Sequence, residues 1–190
     1  MLTSKNFPQN NFQGMTLIEL MIAVVIAGLL LMFAVPSYTA WLNNSQIRTA
    51  AESILDGMQL ARAEAVRQNT KVQFALTKLP MSDWTVSVVS LLPATSAVVQ
   101  TRSSAEGSAT ARINTTLPAG ATTVTFTSLG RVSAANNFDG TAELTEADVT
   151  STSTSATRPL NVRVGGAAGG GMVRMCDPAL PVSNPQSCLY

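Results

Sequence analysis

The 190-residue sequence predicts an α+β protein, in which the second half of one long N-terminal helix packs on an antiparallel β-sheet. An apolar run near the N-terminus is followed by residues with helical periodicity as far as residue 70. Beyond that point, short β-branched runs alternate with turn-rich spacers, which is typical of antiparallel strands. The length suits one ordinary domain plus an appended segment.

Composition argues against catalysis and against bulk electrostatic binding. The chain has 12 Lys plus Arg against 11 Asp plus Glu, and a net charge of +1 is too small to attract nucleic acid by itself. Histidine is absent, which removes the usual general base and the commonest transition-metal ligand. We therefore expect no enzyme activity, no cofactor and no metal site.

The first element is a membrane helix, expected over residues 15–36. Residues 1–14 are polar, carry Lys5 and end in Gly14, and the apolar run then begins. From Met15 it covers 21 residues, about 31 Å of helix, which matches a bilayer core. A cleaved secretory signal would be shorter and followed by a small-residue cleavage site. A single-pass anchor with Lys5 on the cytoplasmic side is indicated.

Glu19 is the one acidic residue in this run, and a plain anchor does not explain it. A charge near the centre of a membrane helix costs about 2.5 kcal/mol even on lenient scales, so it requires a partner. Gly14, followed by "MTLIEL" and the apolar run, resembles the class III signal of type IV prepilins and type II secretion pseudopilins. The resemblance implies that the protein lies in the bacterial inner membrane, with a periplasmic head.

This resemblance implies that a prepilin peptidase removes the leader 1–14 after Gly14 and methylates the new N-terminus on Met15. Most relatives have Phe at that position, so Met15 is a departure. The resemblance also implies that Glu19 pairs with the N-terminal amine of a neighbouring subunit during assembly, because a buried pair selects one register. The alternative is that Glu19 extends to the lipid headgroups.

Residues 37–70 are expected to form an amphipathic helix of the head, and Pro36 is expected to kink the helix where it leaves the membrane. The apolar residues are spaced mostly by three and four, while charged residues lie elsewhere. They are Leu42, Ile47, Ala51, Ile54, Leu55, Met58, Ala61, Ala65 and Val66. This stripe is interpreted as the spine of the head rather than a cofactor groove.

Residues 71–190 are expected to form the β-rich head. Candidate strands begin at residues 71, 84, 97, 122, 131 and 160. The Ser/Thr-rich segment at 150 and the Gly-rich segment at 165 are predicted to be exposed loops. The glycine run lacks the Lys-Ser/Thr of a P-loop.

Two further groups of residues, one acidic and one of cysteines, are interpreted as structural features rather than as binding or catalytic sites. The acidic residues Asp139, Glu143, Glu146 and Asp148 do not have EF-hand spacing, so a solvated loop is expected rather than a calcium site. Cys176 and Cys188 enclose eleven residues and are too few for a zinc site. In an exported chain they are expected to form a disulfide, and a free or catalytic pair is the alternative.

The head resembles the GspH/FimT group of minor pilins and pseudopilins. Phe126, Leu129, Gly130 and Arg131 fit its "F…GR" turn, and 171–176 fits its last strand before the cysteine loop. The resemblance implies a minor pilin that primes a type IV pilus. The H-type pseudopilin of type II secretion is the alternative. Partners would be other minor and major pilins, the prepilin peptidase and the inner-membrane assembly platform.

Some members of this group bind DNA through a Gly-Arg-x-Arg stretch before the cysteine. Here the stretch reads Gly-Met-Val-Arg from Gly171 to Arg174, so the first arginine is missing. Duplex binding without base contacts needs several phosphate contacts. Arg158, Arg163 and Arg174 remain the candidate DNA contacts, and a DNA-binding minor pilin is the second alternative.

Overall fold

The computed structural model of the chain describes residues 14–89, 96–133, 137, 140–153, 157–165 and 170–189. Two compact units divide the chain after Tyr38. The helix α1 spans Leu17–Arg67, so its first part belongs to the first unit and the rest to the second. Lys5 and the rest of the leader before Gly14 lie outside the described residues.

In the first unit, α1 has an apolar and fully exposed surface. All side chains from residue 14 to residue 38 are exposed. Among the described residues, α1 is the one helix long and apolar enough to cross a membrane. Pro36 lies inside the helix, which continues past it as predicted, and a bend at Pro36 stays a prediction.

In the second unit, one face of α1 is buried against the sheets. The buried residues are Asn43, Ile47, Ala50, Ala51, Ser53, Ile54, Gly57, Met58, Ala61 and Ala65. The predicted stripe was wrong at Leu42 and Val66, which are exposed. The polar residues Asn43 and Ser53 are buried instead, because Asn43 accepts a hydrogen bond from Thr110 and Ser53 accepts one from Trp84.

The helix ends in a left-handed turn, close to the predicted end. Asn69 has φ 51°, the Thr70 amide donates to the Ala65 carbonyl over 3.2 Å, and the Asn69 amide donates to Val66 over 3.3 Å. This pattern is a Schellman motif, which satisfies carbonyls at the end of the helix.

The strands form two four-stranded antiparallel sheets within the described residues. The strands are β1 (Lys71–Leu76), β2 (Trp84–Val89), β3 (Ser96–Arg102), β4 (Ala111–Leu117), β5 (Thr123–Phe126), β6 (Glu146–Ser151), β7 (Leu160–Val164) and β8 (Val173–Cys176). Sheet A has the order β3-β2-β1-β5 and sheet B the order β4-β6-β7-β8. One core cluster joins the buried face of α1 to both sheets.

Most of the strand predictions are confirmed, but three differ. The segment "RVSA" at 131 contributes only an isolated bridge, between Val132 and Phe126. Strand β4 was not predicted, because "RINTT" has few apolar residues to mark a face. Strand β6 contains Glu146 and Asp148, and it includes the start of the segment predicted as a Ser/Thr-rich loop.

Candidate assembly site

The start of α1 is capped by a residue that the sequence analysis missed. The Glu19 amide donates to Thr16 Oγ1 over 3.3 Å, and the Leu20 amide donates to the Thr16 carbonyl over 3.1 Å. Thr16 is therefore the N-cap and Glu19 the third helical residue. Thr-x-x-Glu before an apolar run is the capping-box signature, which would have identified Thr16 from the sequence.

Glu19 lies on an open, apolar helix surface. Gly14, Met15 and Glu19 are all exposed, and apart from its chain neighbours no described residue would lie within 4 Å of a Cβ added to Gly14. Between residues 14 and 47, Glu19 is the only Asp, Glu, Lys or Arg in the sequence. The cap fixes the position of Glu19 on the first turn, where the helix dipole favours a negative charge.

At the other end of the chain, the predicted disulfide between Cys176 and Cys188 is confirmed. Both cysteines are buried, and their Cα atoms are 4.9 Å apart. The enclosed loop folds back on itself, because the Asp177 amide donates to the Gln186 carbonyl over 2.8 Å.

Arg163 ties this loop to sheet B. Its Nε atom donates to Glu146 Oε2 over 2.7 Å, and its Nη1 atom donates to the Cys188 carbonyl. The Asn161 amide nitrogen donates to the other oxygen of Glu146. The sequence analysis assigned no such role to Arg163, because the contact joins residues 25 positions apart.

The candidate DNA contacts are only partly brought together. Arg163 and Arg174 lie opposite each other on β7 and β8, so their side chains share a face of sheet B. Arg158 pairs with the buried carboxylate of Asp177, and Arg163 pairs with Glu146. These carboxylates reduce the positive charge that two of the three arginines offer to phosphate.

The described residues of the predicted acidic cluster have different surroundings. Asp139 lies outside the described residues, Glu146 pairs with Arg163, and Asp148 accepts a hydrogen bond from Asn114 over 3.0 Å. Glu143 is partly buried, and this burial raises the pKa of its carboxyl. Within the described residues, no three His, Cys, Asp or Glu side chains are grouped so as to hold a metal ion.

Comparison with known families explains this combination of a capped apolar helix and a two-sheet head. The family model described as type II transport protein GspH matches residues 50–171, nearly two thirds of the chain. The chain belongs to the GspH family. A second model, the prokaryotic N-terminal methylation motif, matches residues 9–35 of this GspH-family protein and covers the cap and Glu19.

Individual relatives agree with this assignment. Over 54 residues the chain is 48% identical to the type IV major fimbrial protein FimA of Dichelobacter nodosus, a segment covering 27% of this chain and 32% of that relative. The crystal structure of the type IV minor pilin FimU of Pseudomonas aeruginosa PAO1 matches with a TM-score of 0.50 and 20% identity. The matched region covers 75% of this chain and 94% of the FimU chain. At that identity the match shows the fold alone. With its family, its methylation motif and its pilin fold, this GspH-family chain is thus a type IV pilin-like protein.

Proposed function

We propose that this GspH-family protein is a minor pilin that primes assembly of a type IV pilus. The observation that supports this most strongly is the methylation motif on the exposed apolar first part of α1, residues 17–38, whose single charge is Glu19. In this proposal a prepilin peptidase cuts after Gly14, and the new amine of Met15 pairs with Glu19 of the neighbouring subunit. The helix anchors the subunit in the inner membrane until the assembly platform moves it into the filament.

The type II secretion pseudopilin is the second candidate, because the matching family model carries the name of a type II transport protein. Two observations favour the pilus. FimA and FimU are both named as type IV fimbrial or pilus proteins. The helix carries Pro36, and the chain closes its tail with the Cys176 to Cys188 disulfide, features that we associate with minor pilins.

A gene deletion, complemented with the wild-type chain, separates these candidates. Pilus number, natural transformation and exoprotein secretion should be scored in the same strain. A priming minor pilin predicts few pili with unchanged secretion. Lost secretion with a normal number of pili would assign the chain to a pseudopilus. Lost transformation with a normal number of pili would favour the DNA-binding alternative.

Processing has its own test at Gly14. Replacing Gly14 with leucine should block cleavage, because the peptidase cuts directly after this residue in our proposal. The protein should remain in the membrane and be heavier by the 14 leader residues, as measured by mass spectrometry. Gly28→Leu, further along α1 and also in open space, is the matched control and should be cleaved normally. An identical mature N-terminus in Gly14→Leu and wild type would contradict the proposed cleavage.

A further inference from the structure

Two turns of the head pack against each other beside the end of α1. A Cβ added to Gly171, before β8, would lie 2.7 Å from the Gly130 carbonyl oxygen, so Gly171 must be glycine for this approach. The same carbonyl accepts a hydrogen bond from Arg62 Nε over 3.0 Å. A Cβ at Gly130 would lie 3.1 Å from Val66. The helix end and the two turns therefore form one continuous surface.

This surface presents three large apolar side chains to solvent. Leu129, next to Gly130, is 80% exposed, and Met172, next to Gly171, is 64% exposed. Val66, on the last turn of α1, is 53% exposed. We call these residues, with Arg62 and Arg131, the turn patch. Grouped apolar exposure of this kind marks interaction surfaces, whereas single exposed residues do not.

The turn patch also carries two positive charges. Five other arginines of the second unit lie beside carboxylates, namely Arg48, Arg67, Arg102, Arg158 and Arg163, whereas Arg112 donates to the Ala109 and Ala111 carbonyls. In the part of the chain that the structure describes, neither Arg62 nor Arg131 has a carboxylate within 4 Å, and both are exposed. The patch thus combines an apolar centre with two cations that lack counter-charges.

We propose that the turn patch binds an acidic, partly apolar surface on the head of another pilin-type subunit. The inference rests on the proposed function and extends it by naming an interface on the head. Apolar residues would supply the desolvated centre, and Arg62 and Arg131 would pair with carboxylates at its rim. A protein partner fits better than nucleic acid. The apolar side chains of Leu129 and Met172 make no favourable contact with phosphates, and two cations give few phosphate contacts.

Photo-crosslinking of the full-length protein in pilus-forming cells tests this. The photoreactive residue p-benzoylphenylalanine replaces Leu129, and the adduct peptide is sequenced by mass spectrometry. We expect a peptide from another pilin-type subunit that contains Asp or Glu. Arg131→Glu should lower the adduct yield about tenfold, as the loss of a rim charge pair allows. Changing the partner's carboxylate to lysine should restore the yield with Arg131→Glu.

The matched control places the same photoreactive residue at Leu117, which is 50% exposed but lies on β4. The proposal is overturned if position 117 gives the same adduct, if the adduct is lipid or DNA, or if Arg131→Glu leaves the yield unchanged. Pilus number in the same strains separates the two proposals. If pilus assembly is normal and depends on this gene but no adduct forms, the proposed interface is contradicted. The proposed priming function is then unaffected.

Discussion

At the scale of single residues, some buried polar side chains of the head stabilise the fold only if the right atoms donate and accept hydrogen bonds. The side chain of Asn137 is buried, and its Oδ1 accepts a hydrogen bond from Thr125 Oγ1 over 3.1 Å. Its Nδ2 faces oxygen atoms of three residues, including Thr123 Oγ1 at 2.7 Å and the Ala142 carbonyl at 3.0 Å. Because the Thr123 and Ala142 carbonyls can only accept, the position requires a donor, and the amide attaches residue 137 to β5.

We therefore predict that Asn137→Asp destabilises the head by about 3 kcal/mol at neutral pH. The substitution places a carboxylate oxygen beside the Thr123 and Ala142 carbonyls, which cannot donate to it. Urea unfolding of the detergent-solubilised chain measures the change. Asn184→Asp is the control and should be neutral, because among the described residues the Asn184 side chain bonds through its Oδ1 alone, as the acceptor for the Gln186 amide. Equal midpoints for the two variants would contradict the assigned role.

The partly buried carboxyl of Glu143 predicts that the stability of the head depends on pH. Burial raises the pKa of its carboxyl, and among the described residues its buried Oε1 has no hydrogen-bond partner. A raised native pKa means that this residue favours folding below its unfolded pKa, near 4.3, and loses that contribution as pH rises through the native value. Glu143→Gln should therefore be more stable than wild type at pH 7 and gain nothing below about pH 4. A pH-independent difference would contradict this account.

At the scale of elements, α1 depends on a glycine where β1 and β2 cross it. A Cβ added to Gly57 would lie 2.8 Å from Phe74 and 3.0 Å from Trp84, whose rings are in contact. The indole Nε1 of Trp84 donates to Ser53 Oγ over 2.8 Å on the same helix face. Strand and helix therefore approach more closely than a larger residue would allow.

Gly57→Ala is predicted to destabilise the head by about 2 kcal/mol, even though alanine favours helices by about 1 kcal/mol. Steric overlap with two buried rings outweighs that preference. Gly28→Ala, in the same helix but in open space, is the matched control and should fold normally. Thermal unfolding of both detergent-solubilised variants gives the comparison. A stabilised Gly57→Ala would show that the rings move aside at little cost.

Sequence patterns predicted the elements whose signals are local. The leader motif, the apolar run and the β-branched strands β1, β2 and β7 follow from neighbouring residues alone. Strand β6 was missed because Glu146 and Asp148 suggested a solvated loop, and their partners Arg163 and Asn114 lie far away in sequence. For the same reason the contact of Arg163 with Cys188 was not predictable. Thr16 was predictable, since its capping signature lies within four residues.

At the scale of the whole molecule, the chain combines an apolar helix long enough to cross a membrane, our proposed anchor, with a head that we propose contacts other subunits. The anchor has one charge, Glu19, whose position is fixed by the Thr16 cap. The head has a core joining both sheets and a disulfide-closed tail. The central claim is that Glu19 acts in assembly, by pairing with the amine that cleavage creates on the neighbouring subunit, and that the head folds without it.

Glu19→Gln tests that claim most directly, because glutamine is close in size to glutamate and also suits the third position of a capping box, but carries no charge. Insertion should be at least as good as in wild type, since a neutral side chain costs less to bury in lipid. The measurement is the ratio of this protein in sheared pili to that in membranes, determined by quantitative immunoblotting. We predict a normal amount in membranes and a strong loss from pili. A wild-type ratio for Glu19→Gln would contradict the ion pair.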